Sequence, residues 1–583
     1  MRLVFDIETN GLLPELTTIH CIAFKNIDTN EIKSFGPEGV EDALLFLSKA
    51  TELIGHNIIN FDIPAIQKVY PGWNTEAKIT DTLILSRLIK ADLKNEDFEK
   101  DHQAEFPKKL YGSHALKAWG LRLGNHKGDY DGGWDSFNVE MLHYMEQDVQ
   151  VTHDLLKFLQ PDTWSQESID LEHEVAHITD AIGKAGWTFD NKKAGELYAA
   201  LAQERAKLEL EMADLFEPWE IHEEFIPKVN NKKLGYVKGE PFTKVTVVEF
   251  NHNSRRHIEH CLKLKYAWVP KSFTPAGHAI IDDVVLGELH YPEAQKLSQL
   301  FLLSKRLGQL AEGGQAWLKR VDADGKLRHS IVSNGTVTGR ASHRFPNLAQ
   351  VPATRLPWGQ QCRELFTVDP GYSLVGTDLS GLELRCLAHF LDDGGAYAKE
   401  ILDGDIHTTN QKAAGLDTRD QAKTFIYALL YGAGDTKIGS IIDKGAKEGK
   451  LLKERFMEAL PAFRTLKKAV EQASKRGFIK GLDGRQVKVR SAHAALNTLL
   501  QSAGGLICKK WLCLVDQEIK AQGIDAQIIA WVHDELQISV KKGSEQDVCD
   551  IARRSAEKAG ESFGFRIPVG ADATIGGTWA DTH

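Results

Sequence analysis

Cysteine is scarce in this 583-residue chain, with seven residues at 21, 261, 362, 386, 508, 513 and 549. They are scattered, odd in number and never spaced C-x-x-C, which excludes a disulfide framework and fits free thiols in a reducing compartment. No stretch approaches the apolar run of about 18 residues that a membrane span needs. The N-terminus, MRLVFDIETN, carries acids at 6 and 8 and lacks the apolar core of a secretory signal. It reads instead as a folded strand. Fixed-period repeats and low-complexity tracts are also missing. What is present, 42% hydrophobic and 26% charged residues, is the composition of a globular protein and excludes a disordered or collagenous one. At a typical ~150 residues per domain, the length suggests about four domains.

Positive charge is in deficit overall, the net being −10, yet the charge is segregated. Residues 1–150 hold 15 Lys and Arg against 24 Asp and Glu, whereas residues 419–490 hold 17 against 8. An acidic lobe suggests metal-dependent chemistry and a basic lobe suggests a polyanion.

Residues 1–160 mix short apolar strands (LVFDI, IHCIAF, ELIGHNII) with helical segments, an α/β pattern. Residues 166–215 read as helical, 216–250 as an inserted loop or small hairpin of mixed charge, and 252–263 and 282–313 as helices. From 326 onward strands and helices alternate, with long helical stretches expected at 394–430 and 445–477.

In LVFDIET, strand period two puts Asp6 and Glu8 side by side on one face. Adjacent carboxylates on a short strand repel each other, an arrangement tolerated when a cation neutralises them. Asp62 follows in IGHNIINFDIPAI and Asp148 in HYMEQDVQVT. Tyr144 precedes Asp148 by four residues, so on a helix the phenol and the carboxylate share a face. Two divalent ions bridged by such acids can activate water against a phosphodiester. Asp-x-Glu, then Asp, then Tyr-x3-Asp, in that order, resembles a proofreading 3′–5′ exonuclease of the DEDD type.

A second acidic set lies far downstream. LVGTDLSGLELR places Asp378 where an apolar strand meets a Ser-Gly turn and a helix begins. IIAWVHDELQISV has two apolar runs around His-Asp-Glu, the pattern of a hairpin with Asp534 and Glu535 at its tip. Such a tip between buried strands is costly unless a cation is bound. Between them, Arg419, Lys423, Tyr427 and Tyr431 recur every fourth residue, which on a helix makes one slanting stripe. Two cations followed by two aromatics suit a triphosphate and a base.

These three elements resemble motifs A, B and C of the family A DNA polymerases. The flanks SNGTVTGRASHRFPNLAQVP, GDIHTTN and VRSAHAALNTLLQSAGGLICK agree, and the likeness runs over nearly the whole chain, looking most like the branch carried by short-tailed bacteriophages. The implied fold is a multidomain α/β protein. A DEDD exonuclease domain of ribonuclease H-like fold (1–165) would precede a right-hand polymerase. Its thumb is expected at 166–325 with a short insertion at about 216–250, its palm at 326–405 and 479–583, and its fingers at 406–478. With the exonuclease motif starting at residue 6, no 5′-nuclease domain is expected ahead of it.

The resemblance also implies roles. Asp378, Asp534 and the Leu379 carbonyl would bind two Mg²⁺ ions, and Asp6, Glu8 and Asp148 two more, with Mn²⁺ as a substitute. Asp62 and Tyr144 complete the nuclease set. Arg419, Lys423 and His407 would hold the incoming triphosphate, with Lys423 counted among the catalytic residues. Tyr427 would stack on the nucleotide, Tyr431 abut the templating pair and Glu383 crowd a 2′-hydroxyl. Arg340, Gln501 and His533 would read minor-groove acceptors at the primer end, and Asn347 and Gln350 would add DNA contacts. The partners implied are primer-template DNA, dNTPs, helicase-primase and single-strand-binding protein, for a monomer in the cytoplasm of a bacterial host. In the phage branch a long basic thumb insertion captures host thioredoxin; here the segment looks short and nearly neutral, so thioredoxin is not expected to be required. The rival readings are a single-subunit RNA polymerase and a nonenzymatic replication scaffold with relic sites. Two decoys are set aside. HEVAH at 173–177 matches a zinc-protease motif but reads as a solvated helix face, and GAKEGK at 445–450 lacks the spacing of a Walker A loop.

Overall fold

The computed structural model describes residues 1–100, 106–125, 130–212, 215–274 and 276–583. The chain divides into two compact units, one of residues 1–188 and 328–583 and the other of Phe189–Leu327.

At the N-terminal end of the first unit a five-stranded sheet forms. Its order is Ile32–Phe35, Ile19–Asn26, Arg2–Thr9, Glu52–Gly55 and Lys78–Asp81. The first three strands pair antiparallel and the rest parallel. The central strand Arg2–Thr9 is covered on both faces, one apolar (Leu3, Phe5, Ile7) and the other bearing Val4 with the acids Asp6 and Glu8. Leu3, Phe5 and Ile7 pack with Val40, Leu44 and Leu47 of one layer. Val4 faces the other layer with Met141, Met145 and Val149 of the helix Val139–Leu159. Asp6 and Glu8 share Val4's parity, so the pleat aims both acids at that helix, which also carries Tyr144 and Asp148. The fourth acid, Asp62, opens the helix Asp62–Val69.

Downstream, the same unit holds a four-stranded antiparallel sheet in the order Ala526–Val532, Glu535–Lys541, Tyr372–Leu379 and Ala571–Gly576. The helices Ala495–Ala521 and Glu545–Ser562 cover it, and Trp511 on the first donates its Nε1 hydrogen to Ala552 O on the second at 2.9 Å. A Cβ on Gly376, mid-strand, would lie 2.6 Å from Thr582, so only glycine lets the C-terminal turn close over the sheet. Residues 406–474 form a series of helices joined by short turns, around a ladder of Phe425, Phe456 and Phe463.

A buried ionic cluster ties distant segments of this unit together. Glu172, on the helix Gln166–Ala185, pairs with Lys509 and, at 2.6 Å, with Arg485, which in turn pairs with Asp483 at 2.7 Å. Against the penalty of burial, Lys509 and Arg485 hold Glu172 down at about 2, while burial brings Lys509 down to about 8. Removing one member of such a cluster costs about 3–5 kcal/mol, because it leaves a buried charge uncompensated.

In the second unit the helices Asn191–Met212 and Pro292–Leu307 run together, joined by the ion pair of Lys296 with Glu211 at 2.8 Å, while Arg205 pairs at 2.7 Å with Glu312 in the turn Gly308–Glu312 that follows. The segment read as a loop or small hairpin is a two-stranded ribbon, Trp219–Phe225 with Phe242–Val248, exposed on both faces.

Four helical expectations are interrupted, the first of them 166–215, which the strand Trp187–Phe189 splits after Gly186. The stretch 282–313 breaks before Pro292, where Tyr291 is extended because proline disfavours the helical region in its predecessor. The stretch 445–477 divides at Pro461, preceded by the non-helical Leu460. The stretch 394–430 is three helices, separated at Asp403–Asp405 and at Gly415, whose φ of +70° ends Ile406–Ala414.

Candidate active sites

The first acidic site assembles as its spacing predicts. One carboxylate oxygen each of Asp6, Glu8 and Asp148 lies within 4.8 Å of the others, the one candidate metal cluster among the described residues. Burial raises Asp6 well above the usual carboxylate range, and Asp62, Glu8 and Asp148 add to it by repulsion. Burial, then Asp148 and Asp62, push Glu8 up to about 8. Burial takes Asp148 up to about 7, and Asp62 likewise to about 7 with Asp81 contributing. Asp62 stands outside the three-acid cluster, but its buried Oδ1 has no hydrogen-bond partner among the described residues. Clustered acids that raise one another, with an orphaned oxygen alongside, fit a divalent cation. Tyr144 lies one turn before Asp148, with the rings of Tyr130 and Trp134 at 5.8 and 6.4 Å.

The second site forms at one end of the four-stranded sheet. Asp378, next to last in its strand, is flanked in register by Glu535 on one side and Asp572 on the other. Loss of surrounding water, then repulsion from Asp534, Glu535, Asp572 and Glu383, pushes Asp378 up to about 8, although its tip keeps access to solvent. Asp534 rises to about 6, through burial and then Glu383. The hairpin tip is His533–Asp534, not Asp534–Glu535: Val532 and Glu535 are already paired across the strands. His533 has φ +60°, a left-handed conformation a non-glycine residue holds at a cost of ~1–3 kcal/mol. Trp531 Nε1 braces it by donating to His533 O at 3.0 Å, and Leu379 N donates to Asp534 O at 3.0 Å. Glu535 therefore needs no cation. It is buried, accepting from Trp579 Nε1 at 2.5 Å and Gln537 Nε2 at 2.6 Å, with His583 Nδ1 at 3.0 Å.

The helix Arg419–Leu430 carries the basic–aromatic stripe, opened by a capping box between Thr418 and Gln421. Gly432, with φ +76°, ends it just beyond Tyr431. Lys423 is exposed and has no ion pair among the described residues. Tyr427 lies 6.3 Å ring to ring from His407, whose buried Nδ1 has no partner among the described residues. Tyr431 reaches Glu383 in the first turn of Leu382–Phe390. Burial pushes the Tyr431 phenol up to about 12, with Glu383's charge adding.

Arg340, Gln501 and His533 line one wall of a cleft of about 670 Å³ whose other wall carries Arg87 and Lys94 of the N-terminal region. Arg490 pairs with Asp92 across it at 2.7 Å, and Asn334 Nδ2 donates to Arg87 O at 2.7 Å. Arg340 can lie there because Gly505 offers no side chain: a Cβ would stand 3.3 Å from Arg340 Cγ. Asn347 and Gln350 are outside this cleft at a 3-10 turn, which Asn347 caps through Ala349 N at 3.1 Å.

Two residues carry more weight than their sequence surroundings indicate. Asp572 faces Asp378 from a strand with no acidic motif around it, and its Oδ2 accepts from Ser380 Oγ at 2.8 Å. His173 of the HEVAH motif is buried, not solvated: its Nδ1 donates to Ile169 O and its Nε2 accepts from Asp81 N, both at 2.8 Å. With both ring nitrogens engaged, no lone pair remains for zinc.

A model of DNA polymerase family A matches residues 227–581, and one of the RNase H superfamily matches residues 3–160. The chain belongs to DNA polymerase family A. It is 37% identical to the DNA-directed DNA polymerase of Enterobacteria phage T3 and 38% to that of Escherichia phage T7, each alignment covering all of both chains. Those alignments run over 704 positions, 121 more than this chain has residues. Among solved structures, the POL domain of Pol1 from M. smegmatis, in complex with DNA primer-template and dNTP, superposes with a TM-score of 0.75. That match covers 100% of this chain and 95% of that one at 19% identity, a likeness of fold. The protein is thus a DNA polymerase with an RNase H-like nuclease domain at its N-terminal end, and divalent metals are the general cofactors of both folds. Neither the RNA polymerase reading nor the nonenzymatic one is favoured.

Proposed function

We propose that the chain copies DNA at the Asp378/Asp534 site and removes mispaired primer ends at the Asp6/Glu8/Asp148 site. The observation that carries this reading is the presence of two separate acid clusters, each raised by burial and then by repulsion among its acids, with a basic–aromatic helix beside only the second. Asp378 and Asp534, with the Leu379 carbonyl, hold two cations, and Asp6, Glu8 and Asp148 hold two more. Mg²⁺ bound there, or Mn²⁺ in its place, supplies Lewis-acid activation of the attacking oxygen and neutralises charge on the leaving one.

This chain's own residues do the remainder. Arg419, Lys423 and His407 grip the incoming triphosphate, and Lys423 meets the charge that develops on the departing pyrophosphate as the primer 3′-oxygen attacks the α-phosphate in line. Tyr427 stacks on the nucleotide and Tyr431 abuts the templating pair. Glu383 lies under the sugar and crowds a 2′-hydroxyl. Arg340, Gln501 and His533 donate to the N3 and O2 acceptors that every correct pair presents in the minor groove, testing geometry rather than sequence. Asn347 and Gln350 add DNA contacts. At the nuclease site Asp62 adds charge beside the cluster, and Tyr144 completes the set one helical turn before Asp148.

In this reading residues 1–165 are the exonuclease domain and 166–325 the thumb with its short insertion, with the palm at 326–405 and 479–583 and the fingers at 406–478. The enzyme acts as a monomer in the cytoplasm of a bacterial host, beside helicase-primase and single-strand-binding protein. The deciding experiment is primer extension and degradation by two variants. Asp6→Ala with Glu8→Ala should abolish degradation and spare synthesis, and Asp534→Ala should do the reverse. Loss of both activities in either variant refutes the two-site reading.

A further inference from the structure

Arg419 is not a free cation. Its Nε and Nη2 donate to Asp405 Oδ2 and Oδ1 at 2.8 and 3.2 Å, two near-parallel bonds along one edge of the guanidinium. The same carboxylate caps the helix Ile406–Ala414: Oδ1 accepts from His407 N at 3.1 Å, and Oδ2 accepts from Thr408 Oγ1 at 2.7 Å. Each oxygen of Asp405 thus serves both the helix bearing His407 and the helix bearing Lys423 and Tyr427, which pack against each other. An acid at this place could oppose a polyanion. Which edge of the arginine it occupies decides the matter. Asp405 takes the Nε/Nη2 edge and, among the described residues, leaves the terminal Nη1/Nη2 edge uncovered, and that second edge can grip a phosphate bidentately.

We propose that Asp405 is a positioning residue for the incoming nucleotide: held side-on, Arg419 presents its terminal edge to the triphosphate in fixed register with His407. The inference rests on the reading of Arg419 as a triphosphate ligand. An arginine side chain left to itself has many rotamers, and binding must then select one, which weakens affinity without altering the chemistry once bound.

The test measures KM for dNTP and kcat in Asp405→Ala, Asp405→Asn, Arg419→Ala, Arg419→Lys and the double variant Arg419→Lys with Asp405→Ala. Primer degradation at the Asp6 site serves as the folding control. Asp405→Ala should raise KM about tenfold while kcat moves by less than about threefold. Asp405→Asn, which keeps the cap and one acceptor, should fall between. Lysine cannot make the side-on pair, so Asp405→Ala should add little in the Arg419→Lys background. A lowered KM in Asp405→Ala would mean that the acid competes with the triphosphate, and an unchanged KM that it does neither; both overturn the proposal. So does an equal loss in the Arg419→Lys background, the mark of a helix cap alone. If Arg419→Ala itself leaves KM unchanged, the triphosphate reading falls first and this inference with it.

Discussion

Tyr431 Oη donates to Glu383 Oε1 at 3.1 Å, joining the end of the basic–aromatic stripe to the first turn of the helix after Asp378. The bond fixes where that carboxylate points, and Glu383's charge in turn is felt by Asp378, Asp534 and Tyr427. A carboxylate locked in place under the sugar excludes a 2′-hydroxyl far better than a mobile one. Glu383→Ala should lower selectivity for dNTP over rNTP by about two orders of magnitude, or about 2.7 kcal/mol. Tyr431→Phe, which frees the acid without deleting it, should lower it by less. Single-nucleotide kcat/KM ratios for the two sugars check both, and unaltered selectivity in Glu383→Ala would remove it from the sugar site.

Tyr427 supplies a second sugar test. Its phenol is half-buried, and burial with the charges of Glu383 and Asp534 raises its pKa, so it stays a neutral donor throughout the working pH range. A hydroxyl near the 3′ position can replace contacts that a dideoxynucleotide lacks, and such chain terminators should be accepted readily. Tyr427→Phe should raise discrimination against them by orders of magnitude, each tenfold being about 1.4 kcal/mol of differential transition-state binding, with dNTP incorporation little changed. Competition between ddNTP and dNTP reads the ratio directly.

The raised carboxylates make stability depend on pH and metal in a defined sense. Glu8 lies at about 8 and Asp62 and Asp148 at about 7 in the folded chain, whereas unfolded carboxyls titrate near 4. Between those values the folded state binds more protons than the unfolded one, so stability falls as pH rises from about 4 to 8. In chelator the Tm should therefore drop across that window. Adding Mg²⁺ or Mn²⁺ should raise it, and more at pH 8 than at pH 5.5, because cation and protons compete for the same oxygens. In Asp6→Asn with Glu8→Gln both the slope and the metal effect should shrink. A metal response equal at the two pH values would show that these acids are not what the cation binds.

Much of this chemistry is legible in local pattern, and the limits are instructive. Asp6, Glu8, Asp148 and Tyr144 could be placed because strand and helix periods say which side chains share a face, and the strand-turn settings of Asp378 and Asp534 stand out equally. What escapes local pattern depends on partners distant in the chain. Glu535 looks like a tip acid until Trp579 and His583 satisfy it. His173 looks solvated until the backbone of Asp81 meets its ring. Asp572 acquires meaning only through its register with Asp378, and Asp405 through Arg419, 14 residues on. Helix ends escape local pattern for a simpler reason: apolar periodicity continues through Pro292 and Pro461, although the backbone cannot.

The ribbon Trp219–Phe225 with Phe242–Val248 bears on how the enzyme stays on DNA. Phage relatives extend over 704 aligned positions, so this chain lacks segments that they carry. Across 216–250 Lys228, Lys232, Lys233, Lys238 and Lys244 stand alongside Glu217, Glu220, Glu223, Glu224, Glu240 and Glu249, leaving the segment nearly neutral at a net of −1. It offers little sequence-independent attraction to duplex phosphates. Seven residues a strand, exposed on both faces, also make a narrow platform, whereas a stable protein interface buries over about 1,000 Å². Processivity should accordingly be low, or supplied by another component, and independent of thioredoxin. Product length per binding event, measured with a DNA trap, should be the same with and without reduced thioredoxin. Many-fold lengthening would show that the short ribbon suffices to capture it, through exposed side chains such as Ile221, Val245 and Val247.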